Sequence, residues 1–195
     1  AAMVARELGR RDTSIGILGT GIQARLTARF HREVLPLREI FLWGRDLEKA
    51  EQCAGEIGAT VVKTPAELAG STRLLITCTA SRAPLLFARD LQPGTHISAV
   101  GADSVGKQEL DPEILRAADL LLVDSLAQCE RLGELQHARD LRQRAVEIGE
   151  VASSQEPVAR IRNIVCPLPD GRGSVADMTG LGVEDLFIAE MVLEK

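Results

Sequence analysis

Apolar and polar positions change their period several times along the chain, and each change marks an element. Residues 14–18 form a short apolar run that meets glycines at once, the pattern of a buried strand entering a turn. Behind the turn Ile22, Leu26, Phe30 and Val34 recur every four residues. They predict a helix with one apolar stripe, leaving Arg25, Arg29 and Arg32 on a solvated face. A second strand is expected over 38–43, then a helix through Leu47, Ala50, Ala54 and Ile57 that Gly58 stops. Residues 60–62 read as a third strand. Thr64, Pro65 and Glu67 then supply a cap, a first helical residue and the acid of a capping box. Apolar runs at 74–77, 95–100 and 120–124 predict three further strands, with a helix opening at Asp111-Pro112-Glu113 between the last two. The run Leu120-Leu-Leu-Val is continuously apolar, as in a parallel strand covered on both faces. Strands alternating with helices in this way predict the α/β class: a doubly wound parallel sheet of Rossmann type with helices on both faces.

The flanks are less regular. Residues 1–12, with Val4 and Leu8 four apart, read as a linking helix from a missing N-terminal part, because Ala1 already lies within the helical pattern. Residues 13–151 make the nucleotide-binding domain, and 128–151 are charged and helical in pattern. Residues 152–174, with Pro157, Pro167, Pro169, Gly171 and Gly173, predict an irregular surface loop or insertion. A last strand at 175–178 and a closing helix at 183–193, with Leu186, Ala189, Met191 and Val192 inward, complete a terminal unit of 175–195.

Composition narrows the partners. A net charge of −5, 3% aromatic residues and no Tyr argue against nucleic-acid and anionic-membrane surfaces, which call for basic faces or stacking platforms. Cys53, Cys78, Cys129 and Cys166 have no C-x-x-C spacing and His31, His96 and His137 are scattered. Neither a metal site nor a disulfide framework is indicated, and reduced thiols with no signal-peptide pattern read as cytoplasmic.

The chemistry starts at the first turn. Gly19, Gly21 and Ala24 fall at the three positions of the dinucleotide fingerprint, between a strand and a helix. Gly19, Thr20, Gly21, Ile22 and Gln23 are therefore cofactor-binding candidates, with the helix amides facing a pyrophosphate. At the end of the second strand, where the ribose is read, stand Gly44, Arg45 and Asp46. A guanidinium forks onto a 2′-phosphate, so NADP(H) is expected over NAD(H). Asp46 as a ribose-binding acid, or as a simple helix cap, is the alternative.

With Trp43-Gly-Arg45, Thr77-Cys-Thr79, Gly101-Ala-Asp103-Ser-Val-Gly-Lys107-Gln-Glu-Leu-Asp111, Val123-Asp-Ser125 and Asp177-Met-Thr-Gly180, the chain resembles the ornithine cyclodeaminase/mu-crystallin family. The resemblance implies an NAD(P)-dependent oxidoreductase or cyclodeaminase acting on a small α-amino acid or cyclic imino acid. It implies that Thr79 and Ala80 lie along the cofactor, Val100 and Gly101 at the nicotinamide end, and Met178 and Thr179 near the carboxamide. It also implies a catalytic Asp103 beside the substrate amine. A carboxylate there can hold an ammonium and take a proton as the C–N bond becomes an imine. Lys107 reads as solvated. Such proteins carry a substrate and dimerisation half built mostly from the N-terminal part. A full-length homodimer is accordingly expected, with this chain alone weakly associated or monomeric. An NADPH-dependent ligand-binding role without turnover, of mu-crystallin type, or an inactive truncated nucleotide-binding domain, is the alternative.

Overall fold

The computed structural model describes residues 1–8, 10–149 and 173–180. Its main sheet has eight strands, all paired in parallel. In chain order these are β1 (Ser14–Leu18), β2 (Glu39–Trp43), β3 (Thr60–Val61), β4 (Leu74–Thr77), β6 (His96–Ala99), β8 (Leu120–Val123), β9 (Ala145–Glu147) and β10 (Ser174–Asp177). Their order across the sheet is β3-β2-β1-β4-β6-β10-β8-β9. A separate parallel pair joins β5 (Arg82–Leu86) to β7 (Gln108–Leu110).

Among the described residues lie the helices α1 (Ala2–Glu7), α2 (Ile22–Val34), α3 (Leu47–Ile57), α4 (Pro65–Ser71), α5 (Pro112–Ala117) and α6 (Leu126–Cys129). Alternate strand residues feed opposite faces. Ile15, Ile17, Leu74 and Ile76 meet Ala24 and Ala28 of α2 and Cys53, Ala54 and Ile57 of α3. Leu18, Leu75 and Ile97 meet Leu68 of α4 and Ile114 and Leu115 of α5. The doubly wound Rossmann architecture expected from the sequence is thus present. Capping follows the sequence as well: the Thr64 hydroxyl accepts from Glu67 N at 3.0 Å, while Glu67 Oε2 accepts from Lys63 N at 2.9 Å.

Two readings need correction. The stripe of Ile22, Leu26 and Phe30 faces outward, 66%, 37% and 49% exposed, and α2 buries Ala24, Thr27, Ala28 and His31 instead. Close approach of this helix to β1 selects small residues for the inner face, and spacing alone does not tell the inner face from the outer one. The expected continuous helix across 128–151 is also broken over most of its described part. After α6 come 3-10 turns at Glu134–His137 and Arg139–Arg144, then β9. The Asp177 carboxylate takes the space where a Cβ of Gly133 would stand and accepts the amides of Glu134 and Leu135. Those amides are therefore unavailable to a continuing α-helix. The expected loop of 152–174 lies outside the described residues except at its end, where β10 starts one residue before the expected 175. The closing helix of 183–193 lies wholly outside them.

Candidate functional site

β1 has β2 on one side and β4 on the other, and the chain winds away from it in both directions. Open α/β sheets bind ligands at such a reversal, outside the carboxyl ends of the strands. The turn leaving β1 is built for close approach. Gly19 has φ 131°, its N–H donates to Trp43 O at 2.9 Å, and a Cβ on it would lie 2.7 Å from Cys78 O. Gly21 caps α2 with no side-chain hydrogen bond, and nothing lies within 4 Å of where its Cβ would be. The first amides of α2 thus open onto free space, while Thr20 packs its methyl where Gly44 lacks a side chain. Ile22 and Gln23 are exposed at the mouth. These residues fit a dinucleotide pyrophosphate.

Arg25 is not the solvated residue expected. Its Nη1 donates to the carbonyls of Thr20 at 2.7 Å and Gly21 at 3.2 Å, and its other nitrogens grip Glu56 of α3 at 2.5 and 3.0 Å. It fixes the turn from behind. At the end of β2, Asp46 caps α3 by accepting Lys49 N at 3.2 Å, which holds its carboxyl below the usual range. Arg45 is exposed beside it.

Across the reversal, Thr79 and Ala80 follow β4, and Val100 and Gly101 follow β6, its neighbour in the sheet. One buried side chain joins the two loops. Glu109 on β7 accepts Thr79 N on Oε1 at 2.6 Å and Gly101 N on Oε2 at 3.0 Å. Burial pushes its carboxyl up; the hydroxyls of Thr77 and Thr79 and the amides of Thr79 and Gly101 oppose that. Behind it the motif repeats. Glu134 accepts the amides of Glu109 at 2.7 Å and Leu110 at 3.2 Å, and Asp177 accepts those of Glu134 at 3.0 Å and Leu135 at 2.9 Å. Burial is the main cause that lifts Glu134 to about 8 and Asp177 to about 7; the charges of Asp177 and Glu109 add to it at Glu134, and that of Asp124 adds to it at Asp177.

Asp103 stands in the loop after β6, its side chain 48% exposed and paired with Lys107 Nζ at 2.6 Å. Ser104 Oγ donates to the same oxygen at 2.8 Å. Partial burial would raise this carboxyl, but Lys107 and Ser104 outweigh it and hold it below its usual value. Lys107 is only 21% exposed, so the reading of it as solvated is corrected. Gln136 and His137 brace the loop: Gln136 Oε1 accepts Gly106 N at 2.8 Å, and His137 Nε2 lies 2.8 Å from Lys107 O. Met178 and Thr179 leave β10 nearby in the sheet order, with Thr179 N donating to Asp124 Oδ2 at 2.7 Å. Cys78 is partly buried, and its thiol donates to Leu18 O at 3.2 Å.

The sequence matches the ornithine cyclodeaminase/mu-crystallin family over residues 1–195. The chain belongs to that family. Alanine dehydrogenase of Archaeoglobus fulgidus is 34% identical over 98% of the chain and 60% of its own length. Among solved family structures, an archaeal alanine dehydrogenase dimer with bound NAD superposes with a TM-score of 0.76 at 30% identity, over 99% of this chain and 60% of that one. The iminosuccinate reductase of Paracoccus denitrificans with NAD+ gives 0.79 at 25% identity, over 99% and 61%. The chain thus spans about 60% of the length of the relatives it matches.

These relatives overturn the expected preference for NADP(H), because both carry NAD. The physical reason lies at the end of β2. Arg45 stands next to Asp46, whose carboxylate is stabilised in its charged form, and the nearby Lys49 ammonium is 3.5 Å from that same carboxylate. A 2′-phosphate would meet a negative neighbour and a cation already engaged. Glu109, Arg25 and Lys107 were not legible as site residues. A solitary Glu in Gln108-Glu-Leu110 and an Arg four places beyond Gly21 have no spacing signal of their own.

Proposed function

We propose that this chain carries the NAD(H)-binding and reacting part of an enzyme that interconverts a small α-amino acid and its imine, in the manner of a dehydrogenase or cyclodeaminase. The observation that carries the proposal is the convergence of an open glycine turn, a bridged pair of loops and an ionised Asp103 at one edge of the sheet. The proposed cofactor residues are Gly19, Thr20, Gly21, Ile22, Gln23, Gly44, Arg45, Asp46, Thr79, Ala80, Val100, Gly101, Met178 and Thr179.

When bound, NAD(H) supplies the two-electron redox step at the substrate α-carbon. The chain's own residues do the rest. The α2 amides hold the pyrophosphate, and Arg25 keeps their turn rigid. Asp46 receives the ribose hydroxyls on the carboxylate oxygen left by its capping bond. Asp103 pairs with the substrate ammonium, takes the proton released as C–N becomes C=N, and returns it in the reverse direction. Lys107 keeps that carboxylate charged until substrate arrives.

The test uses the whole enzyme. Asp103→Asn keeps the shape but removes the charge and the proton acceptor, so turnover of amino acid with NAD should fall about 10²–10⁴-fold while NADH still binds. Full turnover by the variant would reject the assignment of Asp103. Failure of the wild type to bind NADH would reject the reading of the site.

A further inference from the structure

The cofactor described above must run from β2, past the β1 turn, to the far side of the reversal, since the adenosine sits beside β2. Its nicotinamide end then reaches the loops that follow β4 and β6. Those loops belong to strands paired only up to Thr77 and Ala99. Beyond that point the Glu109 carboxylate joins them, with one oxygen on the Thr79 amide and the other on the Gly101 amide. The fit is tight: a Cβ on Gly101 would run into Glu109 Oε2 and Thr79 O.

We propose that Glu109 is a positioning residue, which sets the gap between the Thr79 and Gly101 loops and so fixes the nicotinamide end of the cofactor without touching it. The proposal rests on the NAD(H) reading of the site. Three features set Glu109 apart from an ordinary buried acid. It lies on β7, outside the main sheet, so it spans two loops rather than capping its own. Both of its oxygens accept amides, and the two amides come from two different loops. Its own main chain is set by Glu134, which is set by Asp177 at the end of β10. The separation of the loops is thereby referred to a strand on the other side of β6.

The decisive comparison is NADH against ADP-ribose, which has every part of the cofactor except the nicotinamide. Binding is followed by calorimetry and by the emission of the reduced nicotinamide. In the wild type, NADH should bind more tightly than ADP-ribose. Glu109→Gln replaces one acceptor with a donor, so the gap should loosen. NADH affinity should drop about tenfold, toward that of ADP-ribose, with a loss of nicotinamide emission, while ADP-ribose affinity changes less than about twofold. Equal weakening of both ligands, or no change in either, overturns the role of Glu109 and leaves the site reading standing. A wild type that binds neither ligand overturns the site reading and the role together. Should Glu109→Gln not fold, Gly101→Ala opens the same gap from the loop side. It must lower NADH affinity selectively, and equal weakening or no change again overturns the role.

Discussion

Glu109 Oε2 accepts the Gly101 amide at 3.0 Å and also fills the space where any side chain on residue 101 would begin. The hydrogen bond and the packing contact are one feature, so the glycine is required for more than flexibility. Gly101→Ala forces either the carboxylate or the Thr79 carbonyl to move. It should destabilise the fold by about 1–3 kcal/mol, read as a lower urea midpoint at unchanged slope.

Lys107 supplies the charge that keeps Asp103 ionised, at 2.6 Å. Lys107→Met removes the ammonium and leaves desolvation opposed only by Ser104 and the residue's own backbone, so the carboxyl should rise. If Asp103 works as a carboxylate, the acid limb of kcat/KM in the whole enzyme moves to higher pH by the same amount. An unmoved limb would mean that another group titrates there.

The redox partner can be checked on the chain alone. Trp43 is the only tryptophan, and its carbonyl anchors Gly19, so ligand at the turn should perturb its emission. NADH should bind more tightly than NADPH, by about tenfold. Asp46→Ala should narrow the difference by removing the carboxylate that disfavours a 2′-phosphate.

Much of this was legible in the sequence where a local rule decides. Leu74–Thr77 was read with its bounds because a continuous apolar run between polar turns has few other fates, and Gly19 and Gly21 announce the turn by type and order. The outer face of α2 was misread because apolar spacing does not reveal which neighbours sit close, and small residues were chosen there for proximity. β5 was missed because Pro84 interrupts it and it has no alternation. The Glu109, Glu134 and Asp177 series was beyond reach for another reason: its partners are 25 to 43 positions apart, and only the sheet order brings them together.

That same series should shape stability against pH, together with two buried histidines. Burial lowers His31 to about 4 and His96 to about 3 from 6.5, so the stability that they contribute is present above 6.5 and lost as pH falls toward those values. Glu134 and Asp177 act in the opposite sense. Lifted to about 8 and about 7 from 4.5 and 3.8, they contribute fully below their unfolded values and lose that contribution as pH rises through the folded ones. Between 4.5 and 6.5 the unfolded chain carries the extra protons on the histidines and the folded chain carries them on the acids. The two slopes oppose each other there, and outside that window each pair of groups lowers stability on its own side. Glu134→Gln deletes one acid and breaks the balance. The stability of the wild type relative to this variant should be greatest near pH 4.5 and fall by on the order of 1 kcal/mol per pH unit toward pH 8. Urea unfolding of both proteins across that range measures the slope, and a flat difference would mean that Glu134 stays charged throughout.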